Sequence, residues 1–236
     1  MGQNRTGALF SIGRAVIRWR YPYRFTLPEQ RPEPAVYVVH HQNLKGPLLS
    51  MAWLPFAVRP WVLNVFFSQR ACFDQYYHYT FTQRLKIPKI PAAILAWPLS
   101  FVIASVMHSM RAIPVHRDSA AVITTFRASL AALLAGESLL LAPDIDYSDD
   151  RTEVGDLYDG FLDLERFYQR KTGQHLPFIP LRIDHPNRQI TCGEPLYFPD
   201  FIPFKKAKPD LYQHLKASLQ LGHQTDIRPG AKTAQV

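Results

Sequence analysis

The chain has 236 residues, a formal net charge of +8 and two cysteines, Cys72 and Cys192. This length suits one compact domain with terminal extensions, and two distant cysteines without metal-type spacing argue against a disulfide framework and against a zinc site. The positive charge favours an anionic partner, yet the sequence contains neither a nucleic-acid recognition motif nor a Gly-x-x-x-x-Gly-Lys nucleotide loop.

Residues 1–30 are basic and aromatic. Their arginines all precede the first acid, Glu29, and are mixed with amphipathic rings such as Trp19 and Tyr21. This composition is typical of a segment at the interface of an anionic membrane, although basic and aromatic residues also suit nucleic acid. We expect a basic amphipathic helix at the membrane interface.

A short apolar run over residues 35–39 predicts a buried strand, which begins after Pro34 and ends at the polar residues that follow. His40 and His41 come directly after this run. Because open α/β sheets bind ligands at the carboxyl ends of their strands, His41 is a candidate general base. Histidines at such strand ends also often satisfy backbone groups or face water.

Two apolar stretches follow. The first predicts a helix and then a strand over residues 61–67. The second, residues 90–110, has no Lys, Arg, Asp or Glu and is long enough to cross a bilayer. Pro91 and Pro98 interrupt it, and a crossing would separate the segments on either side of it, so a buried or interfacial helix is the favoured interpretation.

Arg117 stands between an Ile-Pro-Val segment and a helix predicted over residues 120–135, with Asp118 or Ser119 as the N-cap. The amides of a helix N-terminus and a guanidinium can together hold a phosphate. Arg117 is therefore a candidate phosphate ligand, and an arginine in a solvated loop is the alternative.

Ten of the nineteen carboxylates lie between Glu137 and Glu165. Asp144 and Asp146 follow a strand predicted over residues 139–142, so both are candidates to lie at the same sheet edge as the histidine pair. The alternative is a solvated acidic loop.

The remaining pattern alternates helices and strands. It predicts an α/β fold with one domain over residues 31–222, a mixed, mostly parallel sheet flanked by helices, and a flexible tail over 223–236. The predicted elements of this part are helices over 161–172 and 210–221 and strands over 178–183 and 188–192.

Four blocks, in order, resemble those of the glycerolipid acyltransferases, the lysophosphatidate and glycerol-3-phosphate acyltransferase superfamily. The His41 segment is similar to Asn-His-x-x-x-x-Asp, and residues 113–117 are similar to Ile-Pro-Val-x-Arg. Residues 142–145, Ala-Pro-Asp-Ile, stand where the family has Phe-Pro-Glu-Gly, and residues 176–181 resemble a Val-Pro-x-x-Pro-Val strand. The resemblance covers residues 36–195.

The resemblance implies a direct acyl transfer. His41 would take the proton of an acceptor hydroxyl, which attacks the thioester of acyl-CoA or acyl carrier protein, and Arg117 would bind the acceptor's phosphate. Asn43 and Pro143 are the further candidates for substrate contact. Neither a metal nor a cofactor is implied, because the acyl donor is itself a substrate.

The acid of the family's first block falls on Gly46, which cannot orient an imidazole. Asp144 or Asp146 is the candidate substitute. If the orienting acid were all that is missing, Gly46→Asp would raise the rate.

Two hypotheses follow. The first is a membrane-surface enzyme of the 1-acylglycerol-3-phosphate O-acyltransferase type in phospholipid biosynthesis, which moves a fatty acyl group to a glycerolipid-type hydroxyl. Its expected partners are an anionic membrane surface, the acyl donor and a lysolipid-type acceptor, and its expected location is the cytoplasmic face of the membrane, peripheral or interfacially embedded. The second is a catalytically silent homologue that binds lipid or an acyl carrier without turnover.

Overall fold

A mixed sheet runs through the described part of the chain, which in this computed structural model comprises residues 7–26, 28, 31–116, 121–146 and 153–220. Its strands are β1 (Arg24–Thr26), β2 (Val36–Val39), β3 (Val58–Leu63), β4 (Ile113–Val115), β5 (Ser138–Leu141), β6 (Phe178–Asp184) and β7 (Gln189–Cys192). Their order is β1-β7-β6-β2-β5-β3-β4. Neighbouring strands pair in parallel except β6 and β7, which are antiparallel. The predicted α/β domain with a mostly parallel sheet is confirmed.

Helices flank this sheet. They are α1 (Ala8–Arg20), α2 (Lys45–Trp53), α3 (Gln69–Asp74), α4 (Lys89–Ser109), α5 (Val122–Leu134), α6 (Leu164–Thr172) and α7 (Phe204–Gln220). A π-helical segment, Gln75–Arg84, continues α3, and 3₁₀ turns cover Asn64–Phe67 and Asp159–Asp163. The predicted tail over 223–236 lies outside the described residues.

The central strand β2 is buried on both faces. Val36 and Val38 belong to a core that α5, α6 and α7 help to form, whereas Tyr37 and Val39 belong to a second core that includes residues of α2. Both faces of a parallel central strand are covered, so its sequence is a continuous apolar run without alternation. Parallel pairing places the end of β2 next to the end of β5, since Val38 pairs with Leu141, and Val39 pairs with Leu181 of β6.

Several predicted boundaries shift in the structure. β3 ends at Leu63 and a 3₁₀ turn follows, so the strand predicted over 61–67 is only partly correct. The helix predicted over 210–221 is α7, which begins earlier, at Phe204, and contains Pro209. Its first turns are stable because Ala207 packs in the core. Gly173 ends α6 as predicted, in the left-handed conformation that favours glycine at this position.

Helix α4 is continuous through both of its prolines. Pro91 lies in the first turn, where an amide donor is not needed, and Pro98 lies inside the helix. By length and composition alone, α4 is long and apolar enough to cross a membrane. Within the structure, 22% of its apolar window is buried. Its most exposed apolar residues include Ile90, Ile94 and Trp97.

The predicted N-terminal helix is α1, and it packs on α2 through arginines. Arg14 donates to the carbonyl oxygens of Ala52 and Leu54 at 2.8 and 2.5 Å, and Arg18 donates to Ala52 at 2.6 Å. The last carbonyls of a helix have no partners inside the helix, and cations near them are favourable. Two of the arginines predicted to meet a membrane therefore stabilise the end of α2.

Candidate functional site

The carboxyl ends of β2 and β5 bring a histidine and a carboxylate together. Val38 of β2 pairs with Leu141 of β5, and His40 and Asp144 follow these strands. The Nδ1 atom of His40 contacts the Oδ1 atom of Asp144. Only 9% of the His40 side chain and 4% of the Asp144 side chain are exposed. Strand pairing thus forms a nearly buried imidazole–carboxylate contact between residues 104 positions apart.

Asp144 is held by its second oxygen and by its backbone. Its Oδ2 atom accepts the backbone N–H of His41 at 2.8 Å. Asp144 also forms an antiparallel bridge with Leu157, and the amide of Ile145 donates to the carbonyl of Asp156 at 3.0 Å. The carboxylate therefore contacts both histidine residues from a constrained position.

The ring of His41 has a different environment. Its Nδ1 atom accepts the backbone N–H of Leu44 at 3.1 Å. A ring nitrogen that accepts a hydrogen bond carries no proton, so the neutral His41 ring is protonated at Nε2. His41 is partly exposed, whereas His40 is buried.

A left-handed turn connects the histidines to α2. Gln42, Asn43 and Leu44 have φ values of 45°, 49° and 76°, which are uncommon for residues with side chains. Such backbone conformations are unfavourable and persist where the surrounding structure holds them in place. They cluster at functional sites. The turn lets α2 begin directly against the end of β2.

Gly46 lies at a close approach of α2 to the end of β2. A Cβ atom at this position would lie 1.8 Å from the carbonyl oxygen of His40 and 3.2 Å from that of His41. No side chain fits there without moving the backbone. The expectation that Gly46→Asp could supply the missing acid is therefore wrong on steric grounds.

A second polar network, which was not predicted from the sequence, contacts the turn at residues 42–44 through the side chain of Gln42. The side chain of His185 lies 2.8 Å from the Gln42 amide oxygen through Nε2 and 2.8 Å from the Tyr23 hydroxyl through Nδ1. Gln42 is 5% exposed. The available signal was the position of His185 two residues after a predicted strand, but the residues that it contacts are more than 140 positions distant in the sequence.

The other predicted site residues differ in their exposure, and one of them is not described. Asn43 and Asp146 are exposed. Pro143 is partly buried, and its carbonyl accepts the amide of Tyr158 at 2.7 Å. Arg117 lies outside the described residues, so its phosphate role stays a prediction.

Several acids of the acidic stretch, among the residues that the structure describes, pair with cations. Its members pair with residues from other elements: Glu137 with Arg59 and Arg111, Asp156 with Lys216, Asp159 and Asp163 with Lys208, and Glu165 with His175. These contacts reduce the net negative charge of the acidic stretch.

The two cysteines are free and buried. Burial raises the pKa of the Cys72 thiol and that of the Cys192 thiol to about 11. The thiolate is the nucleophilic form of cysteine, so neither residue is activated as a nucleophile. The histidine and carboxylate groups are the stronger candidates for chemistry.

Comparison with known proteins identifies the fold. No family model matches the chain, and no curated protein matches it. Among solved structures it is similar to the 1-acyl-sn-glycerophosphate (LPA) acyltransferase PlsC from Thermotoga maritima, with a TM-score of 0.50 and 10% sequence identity over 90% of this chain and 77% of that one. The expected acyltransferase fold is therefore confirmed, whereas an identity this low transfers no residue role.

Proposed function

We propose that this protein transfers an acyl group from a thioester, acyl-CoA or acyl carrier protein, to a glycerolipid-type hydroxyl. The observation that carries the proposal is the contact of Asp144 with both His40 and His41 at the carboxyl ends of parallel strands. Ligands of open α/β sheets bind at this edge. An imidazole oriented by a carboxylate is the arrangement that removes a proton from a hydroxyl at neutral pH.

The general base comes from the histidine pair. The acceptor oxygen loses its proton to the imidazole as it attacks the thioester carbon, the C–S bond breaks, and the imidazolium returns a proton to the departing thiolate. The products are an ester and a free thiol. Neither a metal nor a cofactor takes part in this sequence of bonds.

Transfer of labelled acyl groups from acyl-CoA and from acyl carrier protein to lysolipids in vesicles tests the proposal. We expect the double variant His40→Ala/His41→Ala to lose about 10²- to 10⁴-fold in rate, the usual contribution of general-base catalysis. His214→Ala, at an exposed position of α7, is the matched control. Equal rates for the double variant and the wild type would contradict the proposal. Lipid binding without transfer by the wild type would identify a silent homologue.

We also propose that the enzyme works at an anionic membrane surface, with α1 and α4 in contact with lipid. Ile12, Val16 and Trp19 lie on one face of α1 and are 63%, 58% and 84% exposed, and Trp97 of α4 is 60% exposed. Apolar and aromatic side chains on amphipathic helices bind the lipid interface. The α1 and α4 ends meet where the amide of Gly7 donates to the carbonyl of Ser109 at 2.8 Å.

Vesicle flotation tests this location. The double variant Trp19→Ser/Trp97→Ser should bind vesicles that contain anionic phospholipid at least about tenfold more weakly, because each ring loses apolar burial in the interface. Phe201→Ser, which removes a 97% exposed ring before α7, is the matched control. Unchanged binding by the double variant would exclude these helices as the membrane contact.

A further inference from the structure

The Nδ1 atoms of the two neighbouring histidines have opposite hydrogen-bonding roles, and this difference separates the two residues. We infer that His40, and not His41, is the general base, and that Asp144 is its positioning carboxylate. This inference rests on the proposed acyl transfer and specifies which atoms carry it out. It differs from the expectation drawn from the sequence resemblance, which assigns the base to His41.

The contact of His40 with Asp144 favours the protonation state that a base needs. An ionised carboxylate can only accept hydrogen bonds, so the Nδ1 atom of His40 carries the proton in this contact. The lone pair of the neutral ring is then on Nε2. When Nε2 accepts a proton, the positive charge forms beside the carboxylate.

His41 is held in the opposite state. Its Nδ1 lone pair is used by the amide of Leu44, and the proton of the neutral ring is on Nε2. To act as a base through Nδ1, His41 would have to give up this hydrogen bond. The backbone amide of His41 instead serves Asp144, which it binds through Oδ2 at 2.8 Å.

Asp144 is constrained well enough to orient an imidazole. Both of its oxygens have partners, and its backbone pairs with Leu157. The amide of Leu157 in turn donates to the hydroxyl of Tyr212 on α7 at 3.0 Å. Loss of the equivalent carboxylate in serine proteases lowers the rate by about 10⁴ because the ring adopts the wrong tautomer.

One proton and one acyl group move in this step. Nε2 of His40 takes the acceptor proton while the acceptor oxygen forms its bond to the thioester carbon. The tetrahedral intermediate then expels the thiolate, which receives the same proton from Nε2. Asp144 stays ionised throughout and exchanges no proton.

A pair of single substitutions separates the two histidines. His40→Asn keeps an N–H group near the position of Nδ1, and it produces the Asn-His opening of the family's first block. If His41 were the base, this variant would remain active. We expect instead a loss of about 10²- to 10⁴-fold in kcat for His40→Asn, and less than about tenfold for His41→Asn. The exposed His214→Asn is the control.

Asp144→Asn tests the positioning role. It should lower kcat with little change in KM and move the acid side of the pH–rate profile to lower pH, because a carboxylate stabilises the imidazolium that it faces. The exposed Asp210→Asn is the matched control. Thermal unfolding of each variant shows whether the change is structural, since a purely structural residue would lower the melting temperature without moving the pH profile.

Nitrogen NMR of the wild type provides a measurement that needs no turnover. We expect His40 to be protonated at Nδ1 and His41 at Nε2 when neutral, and the His40 pattern to change in Asp144→Asn. The reverse tautomers, or an active His40→Asn together with an inactive His41→Asn, would overturn the inference while the proposed function stands. A wild type without acyl transfer to any acceptor would overturn both.

Discussion

Different charged groups lie at the amino ends and at the carboxyl ends of the parallel strands, called here the amino edge and the carboxyl edge of the sheet. At the amino edge, the buried carboxylate of Glu137 precedes β5 and is bound by Arg59 and Arg111. At the carboxyl edge, the buried carboxylate of Asp144 contacts a histidine pair next to a left-handed turn. Arginine keeps its charge at all relevant pH values, whereas histidine changes its protonation state near neutral pH.

A second amino-edge cluster supports the same contrast. The ring of His175, before β6, lies between Glu165 at 2.6 Å and Asp200 at 2.8 Å, so both of its nitrogens face carboxylates. This arrangement holds a protonated ring in place. Buried acids therefore occur at both edges of the sheet, and of these described arrangements the one at the carboxyl edge suits a base that must gain and lose a proton.

The largest effect is expected at Gly46. Gly46→Ala should lower the free energy of unfolding by about 3 kcal/mol and abolish acyl transfer, because overpacking displaces the end of β2 and its histidines. Gly13→Ala on α1 is the matched control, since a Cβ atom there meets nothing within 4 Å. The control should stabilise the protein by about 0.5–1 kcal/mol. Denaturant unfolding measures both. A Gly46→Ala protein of wild-type stability would show that the two elements can separate without cost.

A smaller effect, which depends on pH, is expected from His175 at the amino edge on the free energy of unfolding. Burial lowers the pKa of His175, whereas the hydrogen bonds to Glu165 and Asp200 together raise it by a larger amount. The net pKa therefore lies above the ordinary value of 6.5. A raised folded-state pKa adds stability that is fully present below the ordinary value and is lost as pH rises through the raised value. The free energy of unfolding should therefore fall as pH increases above 6.5.

Unfolding of His175→Gln at a series of pH values checks this sign. The variant should lack the wild-type decrease above the ordinary pKa, while its acyl transfer per folded molecule should stay at the wild-type level. His214→Gln, on the exposed side of α7, should follow the wild-type curve. Parallel pH curves for wild type and His175→Gln would remove His175 as the source of the pH dependence.

Much of the fold follows from local patterns. The apolar run before His40 predicts β2 because a parallel central strand is buried on both faces. The helix that ends at Gly173 follows from amphipathic periodicity and from glycine's access to positive φ. The turn at residues 42–44 could not be predicted in the same way, because none of its positive-φ residues is glycine. Packing of α2 against the strand end holds it.

The candidate site is only partly predictable. The strand-end position and the motif resemblance select His41, and the end of a later predicted strand offers Asp144 as one of two substitute acids. Because both faces of β2 are buried, the apolar run before the histidines does not indicate which of them contacts Asp144. No local pattern reveals the contact of His185 with Gln42, because that contact depends on where β6 ends beside β2.

The sequence by itself determined an α/β chain with a histidine pair after its first buried strand and an acid after a later one, since residue types and periodicity are local properties. Tertiary structure decided which imidazole meets the carboxylate of Asp144 and why position 46 must be glycine. Those outcomes depend on strand register and on the approach of two backbones, and both are set by packing between segments that are far apart in the chain.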